Sequence, residues 1–172
     1  IGEVVFSNGR IIRSDLIIAT DGAGSIIREG MAKSLPKFEM SQVFLEHGYK
    51  ELHIPPGPSG SFQIEKNALH IWPRHKFMMI ALPNADGSFT CTLFLAKSSA
   101  DGSEPAFDQL TLSDPLFKFF EREFPDAVQL MPTLARDFFA NPIGDLGSIK
   151  CWPWNIEGKA LLLGDSAHAI LP

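Results

Sequence analysis

Turn-forming residues cut the apolar positions of this chain into short runs, and the runs change character along its length. Near the start, Glu3 to Phe6 and Arg10 to Arg13 flank Ser7-Asn8-Gly9, and Asn-Gly between two such runs predicts a β-hairpin. Asp15 to Thr20 is a continuous apolar run, the pattern of a strand buried on both faces in a parallel sheet. Asp21 to Ser25 then reads as a loop and Ile26 to Ala32 as a helix. From Gln42 onward the runs become strands separated by turn chemistry: Gln42 to Ile54, Ser61 to Glu65, Ala68 to Trp72, Phe77 to Leu82 and Phe89 to Leu95. Strands at this spacing predict an antiparallel sheet. In the last of them, Phe89, Cys91, Leu93 and Leu95 share one face while Thr90, Thr92 and Phe94 share the other.

Beyond the sheet, Ser113-Asp114-Pro115 starts a helix that runs to about Phe124, ahead of Pro125. A second helix is expected over Asp126 to Phe139, then a returning strand over Ser148 to Trp154. A further buried strand follows over Lys159 to Leu163, ending at Gly164-Asp165. The expected architecture is therefore α/β (α+β): a mainly antiparallel middle with helices, flanked by strands of a Rossmann-like domain. The expected boundaries are residues 1–35, 36–150 and 151–172, the two ends belonging to one domain and the middle inserted between its strands.

Composition narrows the function classes. With 172 residues, 45 % of them hydrophobic, the chain can fill one sizeable core or two small ones. A formal net charge of -5 without any basic run argues against a nucleic-acid surface. No apolar run approaches the ~18 residues of a membrane helix, so no membrane contact is expected from this segment. A cytoplasmic location in a bacterium is the expectation, while a C-terminal anchor elsewhere in a longer protein is not legible here. The chain opens without Met and closes on an element that reads as just starting, so an internal piece of a longer protein is expected. Cys91 and Cys151 have neither metal nor disulfide spacing and read as reduced, buried thiols.

Two stretches share one design, an apolar strand that runs directly into an Asp and Gly pair. They are Leu16-Ile17-Ile18-Ala19-Thr20-Asp21-Gly22 and Leu161-Leu162-Leu163-Gly164-Asp165. Small residues at the carboxyl end of a buried strand let a ligand approach the backbone. A carboxylate there accepts hydrogen bonds from sugar-type hydroxyls, and a following helix N-terminus favours phosphate. Each stretch alone is also an ordinary strand-to-helix turn; the pair together points to a nucleotide site.

Asp21-Gly22-Ala23-Gly24-Ser25-Ile26-Ile27-Arg28 resembles the Asp-Gly motif of the single-component FAD-dependent aromatic hydroxylases, and Gly164-Asp165-Ser166-Ala167-His168 resembles their later Gly-Asp motif. The resemblance implies FAD as cofactor and NADPH as co-substrate. It assigns Asp165 to hydroxyls of the flavin's ribityl chain and Asp21, Gly22, Ile26 and Arg28, with Gly164 and Pro172, to the flavin pocket. The middle resembles one branch of that family, whose substrate is the aromatic amino acid L-kynurenine. His47-Gly48-Tyr49-Lys50-Glu51-Leu52, Leu69-His70-Ile71-Trp72-Pro73-Arg74, Phe77 to Asn84 and Ser88 to Phe94 carry it. By that resemblance Leu69, Ile80, Leu82, Thr92 and Phe94 line the substrate pocket. The alternation agrees, although a generic core would alternate in the same way.

No catalytic side chain is expected, because in this family the cofactor performs the difficult step. His168 reads as local structure beside the flavin site, and the other histidines lack metal-ligand spacing. Trp72, Trp152 and Trp154 read as packing residues. The Gly-x-Gly-x-x-Gly fingerprint is absent, so the chain by itself is expected not to retain FAD. Two other functions stay open: hydroxylation of another aromatic substrate, and a non-redox ligand-binding module on a degenerate flavin fold. A small-molecule substrate is the expected partner, and a homodimer is an assembly the resemblance leaves open.

Overall fold

Most period-2 segments of the sequence form strands, and helices form over residues 26–34, 113–123, 125–128 and 134–140. The computed structural model describes residues 2–100 and 102–171. The first elements are a hairpin of β1 (Gly2–Val5) and β2 (Ile11–Ser14), strand β3 (Ile17–Ala19) and helix α1 (Ile26–Ser34). Strands β4 (Glu39–Ile54), β5 (His70–Arg74), β6 (Phe77–Pro83) and β7 (Phe89–Ala96) follow. Helices α2 (Ser113–Glu123), α3 (Pro125–Val128) and α4 (Leu134–Ala140) precede β8 (Gly144–Trp152), β9 (Asn155–Ile156) and β10 (Ala160–Leu162). The chain divides into two compact units, one of residues 45–146 and one of the residues on either side, with the boundary inside β4 and β8.

The larger unit is built on an antiparallel sheet of order β5-β6-β7-β4-β8. Register fixes its two faces. Rows such as Lys50–Leu93–Met79–Trp72 and Leu52–Cys91–Ala81–His70 point to one side; Glu51–Thr92–Ile80–Ile71 and Tyr49–Phe94–Met78–Pro73 point to the other. The first side is closed by the helices. Leu116, Phe119 and Phe120 of α2, Ala127 of α3, and Leu134 and Phe138 of α4 join Phe89, Cys91, Leu93 and Leu95 in one buried cluster. Edge-to-face rings knit it together, with Phe119 and Phe124 5.9 Å apart and Phe119 and Phe120 5.5 Å apart. Trp72 Nε1 donates to Asp126 Oδ2 at 2.9 Å, and Arg74 Nε donates to the Glu123 carbonyl at 2.7 Å. Both bonds tie the edge strand β5 to the helices. Pro73 is tolerated because β5 lies at the sheet edge.

The smaller unit holds the β1–β2 hairpin and a three-stranded sheet of order β3-β10-β9, with β3 and β10 parallel. Its buried cluster consists of Ala19, Met31, Cys151, Ala160, Leu162 and Ala167. The two apolar runs are covered on one side only: Ala19 and Leu162 are buried, whereas Ile18 is 55 % exposed and Leu163 54 %.

Three expected elements differ. Ser61 to Glu65 is irregular chain instead of a strand. Phe62 and Ile64 do pack on the core, Phe62 edge-on to Phe89 at 5.8 Å, but the Gly57 N–H bonds the Ser61 carbonyl and Gln63 Nε2 bonds the Pro55 carbonyl. The alternation there reported burial, and the segment's polar groups are used in local turns instead of a ladder. The expected helix over Asp126 to Phe139 is two helices, because Pro132 has no N–H and disfavours helical backbone at Met131. Leu130 and Met131 bond instead to carbonyls three residues back, at 2.9 and 3.1 Å. Finally, Ser113 is the first helical residue of α2, and the cap position falls on Leu112.

Candidate functional site

The smaller unit brings the two Asp and Gly stretches side by side because β3 and β10 pair in parallel, Ile17 with Ala160 and Ala19 with Leu162. Both strands therefore deliver their following loops to the same sheet end. Gly22 and Gly164 make the turns at φ 78° and 64°, a region that favours glycine. A Cβ built on Gly22, Gly24 or Gly164 would meet nothing within 4 Å, so the space over this backbone is open.

Ser25 caps α1, its Oγ accepting the Arg28 N–H at 2.9 Å. Asp21 Oδ2 accepts the Ile27 N–H at 3.3 Å and Oδ1 accepts the Ser166 hydroxyl at 3.0 Å. Partial burial works to raise the Asp21 carboxyl's pKa, but bonds from Ser25, Ile27 and Ser166 outweigh it and hold the group below the ordinary carboxylate range. Ser166 is fully buried. Its Oγ also accepts the Gly22 N–H at 3.0 Å, and its carbonyl accepts Arg28 Nη1 at 2.9 Å. Arg28 is buried and also donates through Nη2 to the Ala23 carbonyl, while its Nε is buried without a partner. Its charge is thus held under the loops by two backbone carbonyls.

The sequence-derived residues fall into two kinds. Asp165 and Ile26 are exposed on the loop pair, as a residue meeting a ligand must be, and Gly22 and Gly164 leave the backbone open. Asp21, itself exposed, and the buried Arg28 brace the loops through their hydrogen bonds. Pro172 lies outside the described residues. Ser25 and Ser166 were not singled out from sequence, although both stand inside the motifs. His168 is exposed, with its ring 5.3 Å from that of Trp154 and its N–H on the Gly164 carbonyl. Cys151, whose thiol donates to the Ala167 carbonyl at 3.0 Å, has its pKa raised by burial, partly opposed by Arg28.

These features fit the phosphate and polyol parts of a dinucleotide such as FAD. Open glycine backbone admits such a ligand closely, and an exposed carboxylate can accept its hydroxyls.

In the larger unit, Ile80, Thr92 and Phe94 stand half-buried on the sheet face away from the helices, Ile80 directly opposite Thr92. Leu82 lies on the same face, 50 % exposed, and Leu69, just before β5, is equally exposed. Tyr49, Ile71 and Met78 belong to this face too and were missed. Met78 was within reach of sequence reasoning, since it lies two residues before Ile80. The same face also carries polar groups, His47, Glu51 and His53 of β4 and Thr90 and Thr92 of the central strand β7.

Among the described residues no helix is long and apolar enough to cross a membrane, and no group of His, Cys, Asp and Glu could hold a metal ion.

No family model matches the chain. It is 50 % identical to the kynurenine 3-monooxygenase of Dictyostelium discoideum over 96 % of its own length and 35 % of the relative's. It is 46 % identical to that of Flavobacterium psychrophilum over 99 % of the chain and 37 % of the relative. For the Myxococcus xanthus enzyme the identity is 48 %, over 99 % of the chain and 35 % of the relative. The chain thus spans about a third of the length of the curated relatives it matches. Among solved structures, Klebsiella pneumoniae HpxO complexed with FAD and uric acid aligns with a TM-score of 0.67 at 20 % identity, covering 99 % of this chain and 40 % of that one. The tetrameric 2-methyl-3-hydroxypyridine-5-carboxylic acid oxygenase aligns at 0.59 and 22 % identity, covering 98 % and 42 %. The fold is accordingly that of the FAD-dependent hydroxylases, mixed α/β with antiparallel sheets. Across both loop motifs and the sheet between them, the chain is similar to the kynurenine 3-monooxygenases over about a third of their length.

Proposed function

We propose that the protein to which this chain contributes is an FAD-dependent monooxygenase that converts L-kynurenine to 3-hydroxykynurenine with NADPH and O₂. The observation that carries the reading is the 46–50 % identity to enzymes of that name, which runs through both loops and the sheet. Bound at the Gly22 and Gly164 loops, FAD would supply the oxygen-transfer chemistry, with NADPH as reductant and O₂ as oxygen source. This chain's own residues bind and orient. In the smaller unit, Asp165 accepts hydrogen bonds from ribityl hydroxyls, and the open backbone at Gly22 and Gly164 admits the cofactor closely. Ile26 covers it with apolar surface, while Asp21 and Arg28 hold the loop that carries Gly22 and Ile26. In the larger unit, Leu69, Ile80, Leu82 and Phe94 form an apolar wall that excludes water from one side of the substrate ring. The Thr92 hydroxyl adds a polar point within that wall.

The residues from the chain's ends form the cofactor-binding part and the sheet-and-helix middle the substrate-binding part. A homodimer is the assembly left open, and the cytoplasm is the location proposed if the protein is bacterial. The test is NADPH consumption by a full-length protein carrying this chain. L-kynurenine should stimulate it severalfold, with 3-hydroxykynurenine as the product. Stimulation only by a different aromatic compound moves the reading to another substrate, and absence of bound flavin removes it.

A further inference from the structure

We infer that Ser166 is a positioning residue for the cofactor: its hydroxyl locks the Gly22 loop to the Gly164-Asp165 turn in the one arrangement that leaves both backbones open to the flavin. The inference rests on the reading that this loop pair holds FAD.

Three bonds converge on this one fully buried residue from a loop more than 130 positions earlier in the chain. The hydroxyl accepts from the Gly22 N–H and donates to Asp21 Oδ1, each at 3.0 Å, so its donor and one acceptor site are both used. The carbonyl takes Arg28 Nη1 at 2.9 Å. The division of labour matters. An alanine at 166 keeps the carbonyl bond, so Arg28 stays in place. The start of α1 also survives, since Ser25 still caps it and Ile27 still bonds Asp21. What disappears is the hydroxyl's share of the link between the two loops, its bonds to the Gly22 N–H and to Asp21. Gly22, in the left-handed region at φ 78°, then has a free N–H, and only its carbonyl, which accepts the Ser25 N–H at 3.1 Å, still holds it. The Asp21 carboxylate loses one of the donors that keep it ionised. The loop that must accept the cofactor becomes mobile while the sheet beneath is unchanged.

The experiment measures FAD affinity by flavin-fluorescence titration of a full-length protein carrying this chain, after removal of bound cofactor. Ser166→Ala should weaken FAD about tenfold, a value typical of one lost hydrogen bond to a charged group, with the unfolding of residues 45–146 unaltered in the absence of flavin. In S166A the decline of FAD affinity on acidification should begin at higher pH than in the wild type, because Asp21 protonates more easily, a change that looser packing alone does not produce. In an Asp21→Ala background, Ser166→Ala should cost clearly less than it does alone, because part of the hydroxyl's linkage is already gone. If S166A does not fold, Ser166→Cys keeps the volume with a much weaker donor and carries the same comparison. Wild-type affinity and pH profile in S166A or S166C, or full additivity with D21A, overturn the inference. A wild-type protein that binds no FAD overturns instead the flavin reading beneath it.

Discussion

The two units of this chain are constructed unequally. In residues 45–146, Phe89, Leu93, Phe119, Phe120, Phe124 and Leu134 lie in one buried cluster with neighbours from four strands and three helices. In the other unit the buried cluster is small and rests on residues such as Ala19, Ala160 and Ala167, while Val5, Ile11, Ile18, Val43, Leu163 and Ile170 are exposed. Burial of apolar area is the main favourable term in folding, and within this chain the first unit buries the larger apolar cluster. Yet the second carries the loops that fit a dinucleotide. Its order comes from directed polar bonds instead: Asp21, Ser25, Arg28 and Ser166 form one connected set. A site held this way is specific in geometry and cheap to disturb, because a buried polar network costs most when one member is removed.

The largest effect should come from the aromatic core. Phe120 is fully buried against Phe119 and Phe124. Phe120→Ala should lower stability by about 3–5 kcal/mol, read from urea unfolding of the larger unit. A loss below about 1 kcal/mol would show that the helices are not what closes this unit, and the contrast would collapse. Next comes Arg28→Met in the smaller unit. Its two carbonyl partners would lose a charged donor, an expected loss of about 1.5–3 kcal/mol. The effect should be local: faster hydrogen exchange at residues 22–28 and 164–168, with the larger unit's exchange unchanged. Slowed or unaltered exchange in the loops would contradict the polar-brace account. The smallest effect concerns pH. Burial pushes the Cys91 thiol up to about 12, opposed only weakly by a backbone bond at Ile54. The folded group keeps its proton where the unfolded thiol, near about 8.5, gives it up. Its contribution is therefore complete below about pH 8.5 and falls away as pH rises toward 12. Denaturation midpoints measured between about pH 9 and 10.5 should decline less steeply for Cys91→Ala than for the wild type.

Sequence reading reached furthest where a single periodicity decides the structure. Strands β6 and β7 were legible because alternate residues face opposite sides; the same alternation put Ile80 with Leu82 and Thr92 with Phe94, and the strand register sets both pairs on one face. The Asn8-Gly9 hairpin was legible from turn chemistry. Periodicity failed at Ser61 to Glu65, where apolar alternation occurs without a partner strand, and at Pro132, whose missing N–H was not weighed. The long-range polar bonds were beyond reach. Nothing local says that Lys50, on the covered face of β4, would reach the end of α4 and donate to the Phe138 and Asn141 carbonyls at 2.6 and 2.9 Å. Burial lowers its pKa there, and the carbonyl end of the helix receives its charge. Ser166 escaped for the same reason. Its role depends on a partner loop that only the parallel pairing of β3 and β10 brings alongside.

The central claim is that the loop pair of the smaller unit holds FAD while the open sheet face of the larger unit holds the aromatic substrate. Hydrogen–deuterium exchange on a full-length protein carrying this chain, with and without FAD and then L-kynurenine, tests it directly. FAD should protect residues 21–28 and 163–168, and kynurenine should add protection in β6 and β7 around Ile80 and Thr92. Protection by FAD elsewhere with these loops unaffected, or kynurenine protection that leaves the open face untouched, would contradict the account.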